Sequence, residues 1–363
     1  MHRKMRTVST GAVALLMALS GASCGSGSGA VQSVPVQSPC RASATTPAPV
    51  TTSSAAEPGP RGYHVMVALE GDRGLWMFGG ETAPPPRNGQ ILGDAWAYRG
   101  RAGWVPLAEQ SPPEYGPVGY DARSDCVIVL AFLGRKFEDV SADWLYDPRT
   151  NSWQRRKPGE RPTENDLLGA GFAYDSESDR LIMFGLSGNT WAYDINHDRW
   201  TLMNPSTSPH FRNFEAMVYD PQSDRVVLFG GDTDVTDFGD TWTYDFNRDT
   251  WREATPAESP APRVYSAMAY DPKSHRMVLF GGVTDHERTP LGDTWAYDVA
   301  ANTWSELKPK VSPSARGWHA MAYYEPDGKF VLFGGGASRE QFLGDTWIYD
   351  PAANTWAPMG RAS

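Results

Sequence analysis

A chain of 363 residues with 12% aromatic residues, 14 Trp, 29 Pro and 36 Gly suits many short strands joined by tight turns rather than a helical protein. Its formal net charge of −10 repels phosphate backbones and anionic lipid, which argues against nucleic acid as a partner and against an electrostatic grip on a membrane. Three cysteines are too few for a disulfide framework or a cysteine metal site.

The chain starts with Arg3, Lys4 and Arg6, then an apolar run from Gly11 to Leu19, then the small residues Ser20 to Ser23 ahead of Cys24. Residues 1–23 are predicted as an export signal, with an apolar run too short for a permanent membrane helix. Removing it takes away three positive charges and leaves −13. The small residues before Cys24 resemble a bacterial lipobox, which implies lipidation of Cys24, although Gly21 stands where that pattern prefers Leu. This places the protein on the outer face of the cell membrane, touching the membrane through its lipid alone. Cleavage without lipidation would make it secreted. Residues 24–60 are predicted as a disordered tether, because 25–56 hold one charge, Arg41, amid Gly, Ser, Thr, Ala and Pro. Cys40 lies in this tether, and Cys126, in the run Asp-Cys-Val-Ile-Val-Leu, reads as a buried small hydrophobe.

From Arg61 onward the chain repeats. A first Trp recurs at 96, 144, 191, 242, 295 and 347, and a second at 104, 153, 200, 251, 304 and 356, with successive spacings of 47 to 53 residues. Within a unit, a small apolar run such as Tyr265 to Tyr270 suits a crowded innermost strand, and Asp271 to His275 supply turn chemistry. Met277 to Phe280 read as a strand buried on both faces, ended by Gly281-Gly282. After a variable loop, Asp293-Thr-Trp295 and Tyr297 form a third strand, Asp298 to Asn302 a hairpin turn, and Trp304 opens the fourth strand. Four strands per unit and six units predict an all-β, six-bladed propeller closed into a ring.

The Gly-Gly doublet, the Tyr-Asp pair and the spaced tryptophans resemble Kelch repeats, of the superfamily that includes the galactose-oxidase central domain. The resemblance covers the predicted propeller domain, 61–363, with blades at 61–110, 111–162, 163–208, 209–259, 260–312 and 313–360. Blade 2 lacks the doublet (Phe132-Leu133-Gly134), and blade 3 keeps only Phe184-Gly185 before a loop shortened to Leu186-Ser-Gly188. The Asp repeated at 240, 293 and 345 is assigned to the fold, because catalysis needs one asymmetric constellation.

The lead-in to the first strand and the loop after the doublet are expected on one face. In register, the lead-in carries Arg61, Arg212, Arg263 and Arg316. Tyr63 and Trp318 stand two residues on, and His64, Glu215 and His319 three residues on. His64 and His319 are expected to approach across the junction of blades 1 and 6. Guanidinium, imidazole and aromatic groups together suit a sugar or carboxylate. The first reading is a monomeric binding module for a glycan or protein, without cofactor, metal or catalytic residue. The alternative is a carbohydrate-active enzyme. A sialic-acid-mutarotase-like reaction needs only an acid, a base and sugar-orienting groups, and Glu215, Arg212, His64 and His319 are the candidates for these, with no motif match to that family. The copper chemistry of galactose oxidase needs a Tyr–Cys crosslink that Cys126, in a buried strand, does not suit.

Overall fold

The computed structural model describes Cys40 and residues 57–83, 89–107, 116–130, 143–233, 235–284, 289–337 and 341–360. The predicted signal, Cys24 and nearly all of the predicted tether lie outside these residues, as do Asp234 and residues 285–288. Six four-stranded antiparallel sheets are present. Blade 1 holds β1 (Val65–Ala68), β2 (Leu75–Phe78), β3 (Ala95–Tyr98) and β4 (Trp104–Pro106). Blade 2 holds β5 (Val118–Asp121), β6 (Cys126–Leu130), β7 (Asp143–Asp147) and β8 (Ser152–Arg156). A one-turn helix α1 (Glu164–Leu167) leads into blade 3, with β9 (Gly171–Asp175), β10 (Arg180–Phe184), β11 (Thr190–Asp194) and β12 (Arg199–Leu202). Blade 4 holds β13 (Ala216–Asp220), β14 (Arg225–Phe229), β15 (Thr241–Asp245) and β16 (Thr250–Ala254). Blade 5 has β17 (Ala267–Asp271) and β18 (Arg276–Phe280), a small loop ribbon of β19 (Val283–Thr284) and β20 (Thr289–Pro290), then β21 (Thr294–Asp298) and β22 (Thr303–Glu306). Blade 6 ends the chain with β23 (Ala320–Tyr324), β24 (Lys329–Phe333), β25 (Thr346–Asp350) and β26 (Thr355–Pro358).

The first strands touch one another all the way round, including β1 with β23, so they form the inner wall of a closed ring. Small residues (Ala216, Ala267, Ala320) suit this crowded position. The second strands are buried throughout their apolar positions because both faces of each blade are covered by neighbours. Each blade is a contiguous stretch of chain, so no strand is exchanged where blades 1 and 6 meet. That junction uses the same bonds as the others. Gly335 N–H donates to the Arg61 carbonyl at 2.9 Å, as Gly231 does to Arg263 and Gly282 to Arg316. The outer Trp104 indole donates to Thr346 Oγ1, as Trp304 does to Thr241 and Trp356 to Thr294.

The doublet glycines are explained by this joint. A Cβ on Gly230, Gly281 or Gly334, all at positive φ, would sit within 2.6 Å of the next blade's Arg carbonyl. Only glycine permits that approach and the left-handed backbone together.

Both hairpins of a blade share a second device. A strand-end Tyr hydroxyl donates to a left-handed Asx five residues on: Tyr174 to Asp179, Tyr219 to Asp224, Tyr244 to Asp249 and Tyr297 to Asn302, at 2.8–3.0 Å. The Asp after each Tyr caps the turn N–H groups, as Asp175 does for Glu177 and Ser178.

One expectation is overturned. Cys40 and Cys126 form a disulfide, with Cα atoms 5.8 Å apart at a sequence separation of 86. Cys40 is not loose tether. It is buried in the core cluster with Ile128, Leu130, Leu181 and Trp191 of blades 2 and 3. The bridge therefore ties the segment before the propeller to β6. Closing so long a loop restricts the unfolded chain strongly. Cys40→Ser is expected to lower the unfolding free energy by about 4 kcal/mol, measured by denaturant titration. Reductant should lower the parent protein by a similar amount and leave the variant unchanged.

Candidate functional site

The nine residues selected from the sequence converge on one face, but eight of them are buried, Tyr63 being the exception. The four arginines build the blades. Arg263 donates through Nε to the Ala261 carbonyl, through Nη1 to the Gly281 carbonyl, and through both Nη atoms to the Asp293 carboxylate at 2.7 and 2.8 Å. Arg61, Arg212 and Arg316 repeat this with Asp94, Asp240 and Asp345. The first Trp of the same blades donates its indole N–H to the same carboxylate, as Trp295 does to Asp293 at 2.7 Å. Burial alone would raise the pKa of Asp293, but the hydrogen bonds from Arg263 and Trp295 and the Arg263 charge outweigh it and hold the group below the usual carboxylate range. Each guanidinium is spent on internal partners, so these arginines are not an open anion site. The repeated Asp serves the fold, as expected, by holding the arginine.

Blades 2 and 3 vary the clamp. Asp143 stands in the Thr position of β7, where it accepts from Arg161 at 2.8 Å and from the Trp200 indole at 2.9 Å. In blade 3, Asn189 replaces the clamp aspartate, and the acid moves to Asp166 on α1, which accepts from Asn189, Ser187 and Thr163.

Tyr63, Phe214, Tyr265 and Trp318 all take left-handed backbone, with φ of 54–60°. Tyr63 N–H donates to Trp318, Trp318 to Tyr265, and Tyr265 to Phe214, which links four blades through backbone alone. Their rings pack in sequence, Phe214 on Tyr265 at 4.3 Å, Tyr265 on Trp318 at 5.1 Å and Trp318 near Tyr63 at 6.3 Å, with Phe342 alongside. Tyr63 and Trp318 thus belong to an aromatic collar.

His64 and His319 lie within electrostatic range of each other across the junction, but their rings go into different blade interfaces. Each ring inserts toward the preceding blade, His64 beside Gly334 and Phe333, His319 beside Gly281 and Phe280. Burial first, and the neighbouring Arg61 or Arg316 second, drive both pKa values down to about 3. Both imidazoles are neutral at ordinary pH and lie against backbone of the preceding blade, His64 at Phe333 and His319 at Phe280. Glu215 lines a central channel of about 230 Å³ with residues of all six first strands. Its Oε1 accepts from Gly171 N–H at 2.8 Å, while its buried Oε2 has no partner. Burial pushes its pKa up to about 8.

The exposed features of the face lie elsewhere, at blades 3 and 4. Among the described residues, Leu168, Phe211 and Val235 are three of the five exposed large hydrophobics, at 36%, 46% and 77% exposure. Phe211 packs against the blade 3 loop at Gly188 and stacks with exposed His210 at 4.2 Å, and His210 lies 5.6 Å from Phe238. Phe238 in turn carries the Arg212 guanidinium at 4.1 Å. In sequence His210 is a single residue of the stretch that joins blades 3 and 4. The shortened loop at 186–188 was the signal that its neighbourhood is uncovered.

Glu215 yields a pH prediction. Its folded pKa of about 8 lies above the ordinary 4.5, so ionising it costs stability. That cost is absent below about pH 4.5, grows up to pH 8 and is complete above. Glu215→Gln is therefore expected to match the parent at pH 4.5 and to be more stable at pH 9, by at most about 5 kcal/mol. Thermal unfolding across pH checks it.

Comparison with known proteins agrees with this architecture. The family model described as the KLHDC2/KLHL20/DRC7 Kelch-repeats domain matches residues 177–361, just over half of the chain. Mei4-dependent protein 6 of Schizosaccharomyces pombe is 29% identical over 134 residues, 34% of this chain and 19% of that protein. Kelch domain-containing protein 10 of Homo sapiens is 25% identical over 236 residues, 60% of this chain and 51% of that protein. Putative adagio-like protein 2 of Oryza sativa subsp. japonica is 31% identical over 150 residues, 40% and 22% of the two chains. The matched part thus spans from about a fifth to half the length of these relatives. The six blades, their doublets and the family match make this chain a member of the Kelch-repeat family.

Proposed function

We propose that the propeller is a protein-interaction module, held outside the cytoplasm, that docks a partner at the notch between blades 3 and 4. The observation that carries this reading is the exposed Phe211, stacked on His210, which in turn lies beside Phe238. An aromatic side chain this exposed in water, next to further apolar surface, gains by being covered. Blade 3 lacks the longer loop that would cover it. The partner contributes an apolar side chain, flanked by basic residues that complement the acidic chain.

The enzyme reading loses its groups. Arg212 is committed to Asp240, Glu215 is buried against Gly171, and His64 and His319 lie in separate blade interfaces. A glycan ligand at this face would have lost its proposed arginines in the same way.

Location outside the cytoplasm is supported by the disulfide, which persists in oxidising compartments, together with the export signal read at 1–23. A lipid on Cys24 would tether the domain to the membrane face.

Two experiments test this. A photo-crosslinking residue placed at position 211 in the producing cells is expected to give one discrete protein adduct, whereas the same residue at position 202, on the outer strand of blade 3, gives none. Indistinguishable adducts at both sites would overturn the docking assignment. Cys24→Ser is expected to move the protein from the membrane fraction to the soluble fraction without changing its thermal stability. Unchanged fractionation would refute the anchor.

A further inference from the structure

The opposite face, made by the hairpin turns, holds a feature that the loop-face reading does not use. Between blades 3 and 4 on this face, Asn247 donates to Asp224 and Glu177, and between blades 2 and 3 Ser124 donates to Asn196, which donates to Asp179. Left-handed Asp residues and the turn Asn together fill these clefts with hydrogen-bonded side chains. Blade 6 lacks both. Gly328 stands at the left-handed position, with φ of +65°, and Ala352 stands in register with Asn196 and Asn247. The cleft between blades 5 and 6 is accordingly open and encloses about 380 Å³, within the range of small-ligand sites. The Tyr323 hydroxyl, at the place from which Tyr174 and Tyr219 reach a left-handed Asp, turns to Asp271 across the cleft instead.

The lining has a definite chemistry. Val278, Ala296 and Leu307 give an apolar floor, and Lys273, Arg276 and Lys329 stand around it. These cations are weakly committed. Arg276 lies 3.7 Å from Asp298 and Lys329 lies 3.4 Å from Asp350, both longer than a charge-assisted hydrogen bond. Lys273 has no carboxylate partner among the described residues and lies against Gly328. The pocket's acids are held more firmly. Asp271 accepts from the Lys273 backbone N–H and the Ser274 hydroxyl, and Asp350 accepts from the N–H groups of Ala352 and Ala353. Asp327 stands exposed among the lining residues.

We infer that this cleft is a binding site for an acidic sugar ring of the uronic-acid type. The ring carboxylate meets Lys273, Arg276 and Lys329, an apolar ring face covers the half-buried Leu307, and a ring hydroxyl donates to Asp327. A nucleotide fits less well, because the Tyr349 ring is fully buried and offers no face for a base to stack on. The weak pairs at the rim leave charge available to a ligand, since exposed ion pairs hold little energy of their own.

The test is calorimetric titration of the folded protein with D-glucuronate, D-glucose and inorganic phosphate, backed by saturation-transfer NMR. Saturable glucuronate binding is expected, with glucose and phosphate at least about tenfold weaker. The double variant Gly328→Asp and Ala352→Asn restores the side chains of the filled clefts, in a backbone conformation that Asp179 and Asp224 already adopt. It should keep the parent's thermal stability and lose glucuronate binding by at least about tenfold. Lys273→Ala, an exposed change, should weaken binding with no effect on folding, so the test does not depend on the double variant alone. Phe211→Asp should leave glucuronate affinity intact, which separates this site from the docking notch. No saturable glucuronate binding, equal binding of glucose or phosphate, or binding unaffected by both pocket variants would each overturn the assignment.

Discussion

The buried arginine clamp is the interaction on which the rest of the molecule depends. A guanidinium with no exposure to water is costly unless its donors are met. Here they are met by three fixed points: the chain two residues before, the first doublet glycine, and the carboxylate at the foot of β3, β15, β21 or β25. The separation from Arg to that glycine is 18 residues in all four clamped blades. The separation from Arg to Asp varies, at 33, 28, 30 and 29. The clamp thus grips both ends of the variable loop and leaves its length free. Loop variation, which is where recognition is generated, costs the fold nothing while the two ends stay pinned.

The same interaction makes closure possible without strand exchange. The clamp fixes the lead-in so that its carbonyl meets the N–H of the preceding blade's second glycine, and the left-handed aromatic then links blade to blade. Between blades 6 and 1 the bonds are those of any other clamped junction. The ring is held shut by repetition of one joint together with continuous side-chain packing between β2 and β24. Where the clamp is altered, in blades 2 and 3, the disulfide brings Cys40 into the core between those two blades. The covalent tie sits where the repeated non-covalent joint is least regular.

The ring itself was legible in the sequence because its signals are local and repeated: the tryptophans, the doublets, and the Tyr-Asp turns. The site was not legible, and the reason is instructive. Arg263 looked like a ligand residue because arginine at a loop face suits anions, yet its recurrence in four blades was the mark of a structural part. His319 and His64 carry the register position toward the preceding blade, so their shared place says nothing about mutual distance. Glu215, alone of its type in that register, could not be placed by repetition. The disulfide escaped for a different cause. Cys40 and Cys126 are 86 residues apart, and only the packing of blade 2 against blade 3 shows that they meet. Phe211 is unremarkable in sequence, and only the three-dimensional neighbourhood of the short 186–188 loop shows that nothing covers it.

Repetition and departure divide the work of this molecule. A residue present in most blades is required by the joint, and changing it loosens a contact with its neighbours. A departure is tolerated where the joint survives it. Shortening the blade 3 loop leaves Asp166 to take up the role of the clamp, and the surface it no longer shields becomes available. Replacing the turn Asp and Asn of blade 6 with Gly328 and Ala352 leaves Tyr349 bonded to Asn354 in the next hairpin, so the blade keeps its outer turn while the inner cleft opens. Both openings follow from one rule. In a ring of near-identical parts, specific surface arises where a part is missing something that other blades keep, provided the clamp that joins the parts is preserved or replaced.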